Sequence, residues 1–199
     1  MRPREFDHDD VLRIAFEQFW RKGVRGTSLS DIARDAGVQR GSLYNAFGSK
    51  EALFLCAYER YARKYLATLQ KALGSGTLRE RLTAFFDVTI KNFRSGSPPR
   101  GCPTTRGLME LASGDGEGLD ENARQAFADL VARATSLIEE AFAEGKKRGE
   151  FSGVPATAAL HIATVTRGLA VLERAFGDEA QLRKIAGHTI DLVLGEDSR

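Results

Sequence analysis

Residues 27–50 read TSLSDIARDAGVQRGSLYNAFGSK, and this stretch decides the architecture of the chain. Leu29, Ile32, Ala33, Val38, Leu43 and Phe47 recur at spacings that let two short helices bury a shared small core. Gly37 falls between them, where the backbone must turn sharply; Ala33 permits close helix contact and Val38 fills the corner. The reading is a helix-turn-helix, with a first helix from Ser28 or Leu29 to Asp35, N-capped by Thr27 or Ser28, and a second from about Arg40 to Ala46. Gln39, Arg40, Ser42 and Asn45 remain polar and outward, where they can reach DNA.

Upstream, Val11, Ala15 and Phe19 lie on one stripe with Leu12, Phe16 and Trp20 beside them, which predicts a helix over Asp7–Lys22 stopped by Gly23. Downstream, Ser49 caps a long helix over Lys50–Leu73, and Gly74-Ser75-Gly76 closes it. Thr77 caps the next, whose stripe is Leu78, Leu82, Phe85, Thr89 and Phe93. A loop rich in proline (Pro98, Pro99, Pro103) leads to a short helix ending at Ala112, and a break at Gly114–Gly118 precedes a long helix over about Leu119–Arg148. Pro155 opens a helix to Phe176, and the last spans Glu179–Leu194. Strand patterns are nearly missing. The fold class is all-α with about nine helices.

The composition narrows the function. The chain has 199 residues, 42% hydrophobic and 28% charged, enough apolar material for a real core in one domain or two. Its net charge of +2 is too balanced to coat nucleic acid by charge alone, so any contact is local. Residues 1–50 hold nine Lys/Arg against seven Asp/Glu and so carry the whole excess. Two cysteines, Cys56 and Cys102, form neither a disulfide scaffold nor a zinc pattern, and Cys56 reads as core. No apolar signal segment follows Arg2 and Arg4, and no run of about 18 apolar residues occurs, so a cytoplasmic protein without a membrane partner is expected. No HExxH, paired-histidine spacing, glycine-rich phosphate loop or nucleophile elbow is present. A helical enzyme using His8, His161, His188 or Cys102 is the weaker reading; no catalytic residue, cofactor or metal is expected.

The stretch from Thr27 through Leu53, above all Leu43-Tyr44-Asn45-Ala46-Phe47 followed by Ser49-Lys50-Glu51, resembles the DNA-binding domain of the TetR family of bacterial repressors. The likeness is specific over about residues 8–55; beyond them only the helix count and lengths agree. It implies a three-helix DNA-binding domain at 1–50 and a helical effector-binding and dimerisation domain at 51–199. Carried position by position, it makes Arg40–Ala46 the recognition helix in the major groove. Gln39, Arg40, Ser42 and Asn45 then contact bases or phosphates, and Gly41 lets the backbone come close. The residue types suit this role, since Arg pairs bidentately with guanine and Asn or Gln with adenine. Thr27, Tyr44 and Lys50 would hold phosphates. A solvated polar face is the bland alternative.

The helix from Pro155 is apolar on two sides: Leu160, Ala163, Ala170 and Val171 form one stripe, and Ile162, Thr166, Leu169 and Phe176 another. Such a helix must be covered twice. With the broad stripe of the last helix it could form half of a four-helix bundle across a two-fold axis, as the resembled family does, with Gly168 and the alanines permitting close approach. A homodimer through the last two helices implies a palindromic double-stranded operator. An unknown small-molecule effector would sit among the fifth to eighth helices, with Phe86, Phe93, Cys102, Thr105, Met109, Phe127 and His161 as candidates, although such aromatic stripes are often plain core. Arg167 and Glu173 are open to anion recognition or internal pairing.

Cys102 lies in Arg100-Gly101-Cys102-Pro103-Thr104-Thr105-Arg106, at a helix start and between two arginines. That setting favours a thiolate reactive with electrophiles or oxidants. Some regulators of the resembled family carry a Gly-Cys pair at a similar place, and a few sense reactive species there. The alternatives to a ligand-released repressor are therefore a redox or electrophile sensor acting through Cys102 and an architectural DNA-binding protein that senses nothing.

Overall fold

A computed structural model describes residues 7–96, 99–112 and 120–195; Arg2, Arg4, Pro98, the Gly114–Gly118 break and Leu119 lie outside them. The described residues form nine helices: α1 (His8–Lys22), α2 (Leu29–Asp35), α3 (Arg40–Phe47), α4 (Lys50–Ala72), α5 (Leu78–Phe93), α6 (Pro103–Ala112), α7 (Glu121–Lys147), α8 (Pro155–Phe176) and α9 (Glu179–Leu194). The expected bounds of α8 and α9 match, and α3 runs one residue further than the sequence reading, to Phe47.

Local chemistry accounts for these boundaries. The Asp7 carboxylate accepts from the backbone N–H groups of Asp9 and Asp10, and the Ser28 hydroxyl from that of Asp31, so each helix begins where an otherwise orphaned donor finds an acceptor. Thr77 and Glu80 form a reciprocal capping box at α5. Between α2 and α3 the chain makes a Schellman turn. Gly37 N–H donates to Arg34 O at 3.2 Å and Val38 N–H to Ala33 O at 2.9 Å, which places Gly37 at φ +66°. An L side chain rarely adopts that conformation, so glycine is needed at this corner.

The chain divides into two compact units, Met1–Lys64 with Gly107–Ala128, and Tyr65–Arg106 with Asp129–Arg199. In the first, α1 packs on α2 and α2 on α3. Helices of seven and eight residues are too small to cover the apolar face of α1, and the start of α4 completes the core. Phe19 meets Phe54 edge-on at 5.3 Å, Phe16 stacks on Tyr61 at 4.5 Å, and Tyr58 meets Phe127 of α7 edge-on at 4.8 Å. Two polar ties fix the angles: Gln18 Nε2 donates to Asp35 at 2.5 Å, and Arg60 pairs with Asp9 at 2.8 Å. Cys56, expected in the core, is exposed instead, because Leu53, Phe54, Ala57 and Tyr58 take the inward face of α4.

In the second unit, α5 lies against both α8 and α9, which also pack on each other. Leu82, Phe86, Ile90 and Phe93 meet a core that includes Phe142, Ile162, Leu169, Leu182 and Ile190. Arg81 is buried and donates to Gly76 O at 3.1 Å and Glu144 at 2.5 Å, while Arg79 pairs with Asp191 at 2.7 Å. Only one of the two apolar faces of α8 is covered: Ile162, Thr166 and Leu169 are buried, whereas Leu160 is 62% and Phe176 69% exposed, with Val171 also outward. Ala170 and Phe176 exchange the sides that simple striping gave them: Ala170 is buried, and Phe176 ends the helix at Gly177. No described helix is long and apolar enough to cross a membrane.

Candidate DNA interface and effector pocket

The face of α3 is built by contrast. Leu43 is fully buried and anchors the helix, while Gln39, Arg40, Gly41, Tyr44 and Asn45 are exposed, Tyr44 at 63%. Ser42 and Lys50 are half-buried. Among the described residues, none of the side chains of Gln39, Arg40, Ser42, Tyr44, Asn45 or Lys50 engages another residue in a hydrogen bond or ion pair. Exposed or half-buried, these groups stay available to a partner outside the chain. A Cβ built on Gly41 would meet nothing within 4 Å, so this glycine is not required by packing and leaves the helix backbone open on that side.

Thr27 is different. It is 2% exposed, and its hydroxyl donates to Gly23 O at 2.7 Å, joining the end of α1 to the entry of α2. The expectation of a hydroxyl contact to phosphate is therefore corrected, because the group is turned into the protein. Ser28, next in the chain, serves as the cap that Thr27 or Ser28 was expected to supply.

The expected effector residues are divided between the two units. Phe86 and Phe93 are buried in the α5 core, and Phe127 belongs to the other compact unit. Met109 is 60% exposed and His161 is exposed as well. A step of one residue along a helix turns the side chain by about 100°, so Phe85 and Phe86 face different neighbours. Phe85 is the one that lines a small cavity, with Tyr65 and Leu69 of α4, Val131, Ala134, Thr135 and Ile138 of α7, and Ala163, Thr166 and Arg167 of α8. Tyr65 was not among the residues singled out from the sequence. Its hydroxyl lies 3.1 Å from Thr89 Oγ1, and burial pushes its pKa up to about 12.

Cys102 and Thr105 do meet a cavity residue. Arg167 Nη1 donates to Cys102 Sγ at 3.4 Å and lies 3.5 Å from Thr105 Oγ1, and Thr105 N–H also donates to Cys102 Sγ at 3.5 Å. The cation facing this buried thiol is thus Arg167 of α8, where sequence proximity pointed to Arg100 and Arg106. Glu173 pairs internally, 3.6 Å from Arg94.

A short helix with an unengaged polar face, set by a glycine turn on a packed three-helix scaffold, defines a helix-turn-helix DNA-binding protein. Residues 11–57 match the family described as bacterial regulatory proteins, tetR family, and residues 79–189 match the tetracyclin repressor-like C-terminal domain. The chain belongs to the TetR family and is a DNA-binding transcriptional regulator. It is 30% identical over 157 residues, 76% of each chain, to the HTH-type transcriptional regulator YezE of Bacillus subtilis (strain 168). It is 29% identical over 146 residues to the repressor NemR of Escherichia coli (strain K12), covering 72% of this chain and 71% of NemR. The crystal structure of reduced NemR superposes with a TM-score of 0.81 at 25% identity, over 92% of this chain and 94% of that one. A cysteine mutant of the regulator CifR, solved on 26 bp operator DNA, gives a TM-score of 0.81 at 28% identity over 96% and 98% of the two chains.

Proposed function

We propose that this regulator is a dimeric repressor whose two recognition helices read the half-sites of a palindromic operator, and that a small molecule bound within residues 51–199 releases it. Residues 1–50 then act as the DNA-binding domain. The observation that carries the reading is the unengaged polar face of α3, with Arg40 and Asn45 suited to guanine and adenine. One α3 reaches only a few base pairs, so specificity calls for a second copy. The outward stripe of α8, which includes Leu160, Gly168 and Val171, suits a two-fold bundle with α9, since Gly168 leaves open space for close approach. NemR is a repressor by name and CifR is solved on its operator, which supports the operator-binding half of the proposal. The match of residues 79–189 to a tetracyclin repressor-like C-terminal domain favours a sensor over an architectural protein.

Selection of bound sequences from a random DNA pool tests this reading, followed by affinity measurements on the enriched site and on scrambled DNA at several salt concentrations. An enriched palindrome with a large specificity ratio is expected. Salt-sensitive binding without enrichment would overturn it.

A second reading rests on the contact of Arg167 with Cys102: the thiol is the sensor, and electrophiles or oxidants release the DNA. Cys102→Ser is then expected to keep DNA affinity and lose release by these reagents. Unchanged release makes the cysteine structural.

A further inference from the structure

The buried face of α1 holds one polar side chain. Val11, Ala15, Phe16, Phe19 and Trp20 share that face with Gln18, which is 3% exposed. Its Nε2 donates to Asp35 Oδ2 at 2.5 Å, while its Oε1 is buried and has no hydrogen-bond partner among the described residues. A buried acceptor without a donor forfeits its hydration, which offsets what the bond to Asp35 contributes. Nor does Asp35 depend on Gln18 to be satisfied. Its carboxylate is 40% exposed to water and also accepts from Arg34 Nε at 3.2 Å. Stability alone is a poor reason for an amide at this site, where a hydrocarbon side chain would strand nothing.

The place of the pair in the fold supplies a better one. Asp35 is the last residue of α2 and stands two positions before Gly37, where the chain turns into α3. Of its own residues α2 buries only Ile32 and Ala33, and α3 only Leu43. Apolar burial is non-directional: it holds two such short helices in place without fixing their rotation. Hydrogen bonds have direction. At the start of α2 the Thr27 hydroxyl donates to Gly23 O at 2.7 Å and Lys22 Nζ lies 3.9 Å from Asp31 Oδ2. With Gln18 on Asp35, α2 is tied to α1 at both ends, and the hydrogen-bonded turn at Gly37 passes that orientation to α3.

We infer that Gln18 and Asp35 are positioning residues for operator recognition: their bond sets the angle at which α3 presents Arg40 and Asn45, at a cost in stability. Gln18 is buried and so acts through α2, not by touching DNA. The inference rests on the reading above in which α3 is the recognition helix.

Gln18→Leu, Asp35→Ala and Asp35→Asn test it in the full-length protein. Fluorescence anisotropy gives the ratio of affinities for the palindrome enriched from the random pool and for a scrambled duplex, and Tm is measured beside it. The ratio cancels the uniform effect of removing a charge near DNA. Gln18→Leu is expected to lower the ratio about tenfold, the order of one lost base contact, with Tm unchanged or raised. Asp35→Ala strands the amide and is expected to lower both ratio and Tm. Asp35→Asn, whose side-chain carbonyl still accepts from Gln18, is expected to rescue the parental ratio.

A parental ratio in Gln18→Leu, or one lowered only together with Tm, would overturn the inference. If Gln18→Leu fails to fold, the two Asp35 variants decide, and equal ratios for alanine and asparagine overturn it. Absence of sequence-specific binding by the unaltered protein would overturn both this inference and the reading of α3. A specific parent whose ratio survives Gln18→Leu removes the positioning role alone and leaves recognition by α3 standing.

Discussion

Gly107 of α6 lies against the ring of Phe127 so closely that a Cβ there would fall within 3.0 Å of three ring atoms. Phe127 is buried and cannot swing aside, because Tyr58 and Phe54 hold it edge-on at 4.8 and 6.0 Å. A glycine inside a helix normally loses about 1 kcal/mol against alanine, so close packing outweighs helix propensity here. Gly107→Ala is expected to destabilise the protein by about 1–2 kcal/mol through overpacking, lowering Tm by roughly 2–8 °C. Urea unfolding checks this; an unchanged or raised midpoint would show that the ring gives way.

Gly41 should behave in the opposite sense. Nothing lies within 4 Å of its missing Cβ, so Gly41→Ala is expected to stabilise α3 by about 0.5–1 kcal/mol. The same methyl group would stand between the helix backbone and DNA. Thermal unfolding and operator binding, measured on one preparation, should move in opposite directions. Improved stability with unchanged affinity would place Gly41 away from the DNA.

Arg40 and Lys50 are both unengaged, yet different losses are expected. Arg40→Ala should relax the preference at one operator position, at about 1–3 kcal/mol of discrimination, while Lys50→Ala should weaken specific and random DNA alike and reduce the salt slope by about 1. Equal losses on both kinds of DNA for Arg40→Ala would assign Arg40 to phosphate.

Tyr65 makes stability depend on alkaline pH. Free tyrosine ionises near 10, whereas burial holds the proton of Tyr65 to about 12. Above pH 10 the unfolded chain therefore binds fewer protons than the folded one, and the contribution of this group to stability falls as pH rises from about 10 to about 12. Tyr65→Phe should cost about 1 kcal/mol at pH 7 by stranding the fully buried Thr89 hydroxyl, yet lose less stability across that alkaline window. Parallel pH profiles for the two proteins would exclude the assignment.

The outward stripe of α8 predicts assembly. Val171→Asp places a charge at the proposed two-fold contact and, because Val171 is exposed in the single chain, should leave the fold intact. Sedimentation is expected to shift from dimer to monomer with loss of operator binding. A dimer that persists would move the interface elsewhere.

Period and punctuation by themselves determined the helices. The Schellman turn at Gly37, the cap at Ser28, the capping box of Thr77 with Glu80 and the stops before Gly177 and Gly195 use interactions between residues a few positions apart, which a linear reading contains. For the same reason the exposed face of α3 was legible: eight residues on one turn-linked helix can bury only Leu43 fully, and the polar remainder must face outward. Tertiary structure alone decided which apolar face of each long helix meets which neighbour. Phe85 reached the cavity and Phe86 the core, Cys56 turned outward although its stretch is apolar, Thr27 turned inward although it is polar, and Arg167 came to Cys102 across 65 positions of sequence. Each of these depends on the rotation and packing of helices distant in the chain, and hydrophobic periodicity, which records that a face is buried, carries no information about its partner.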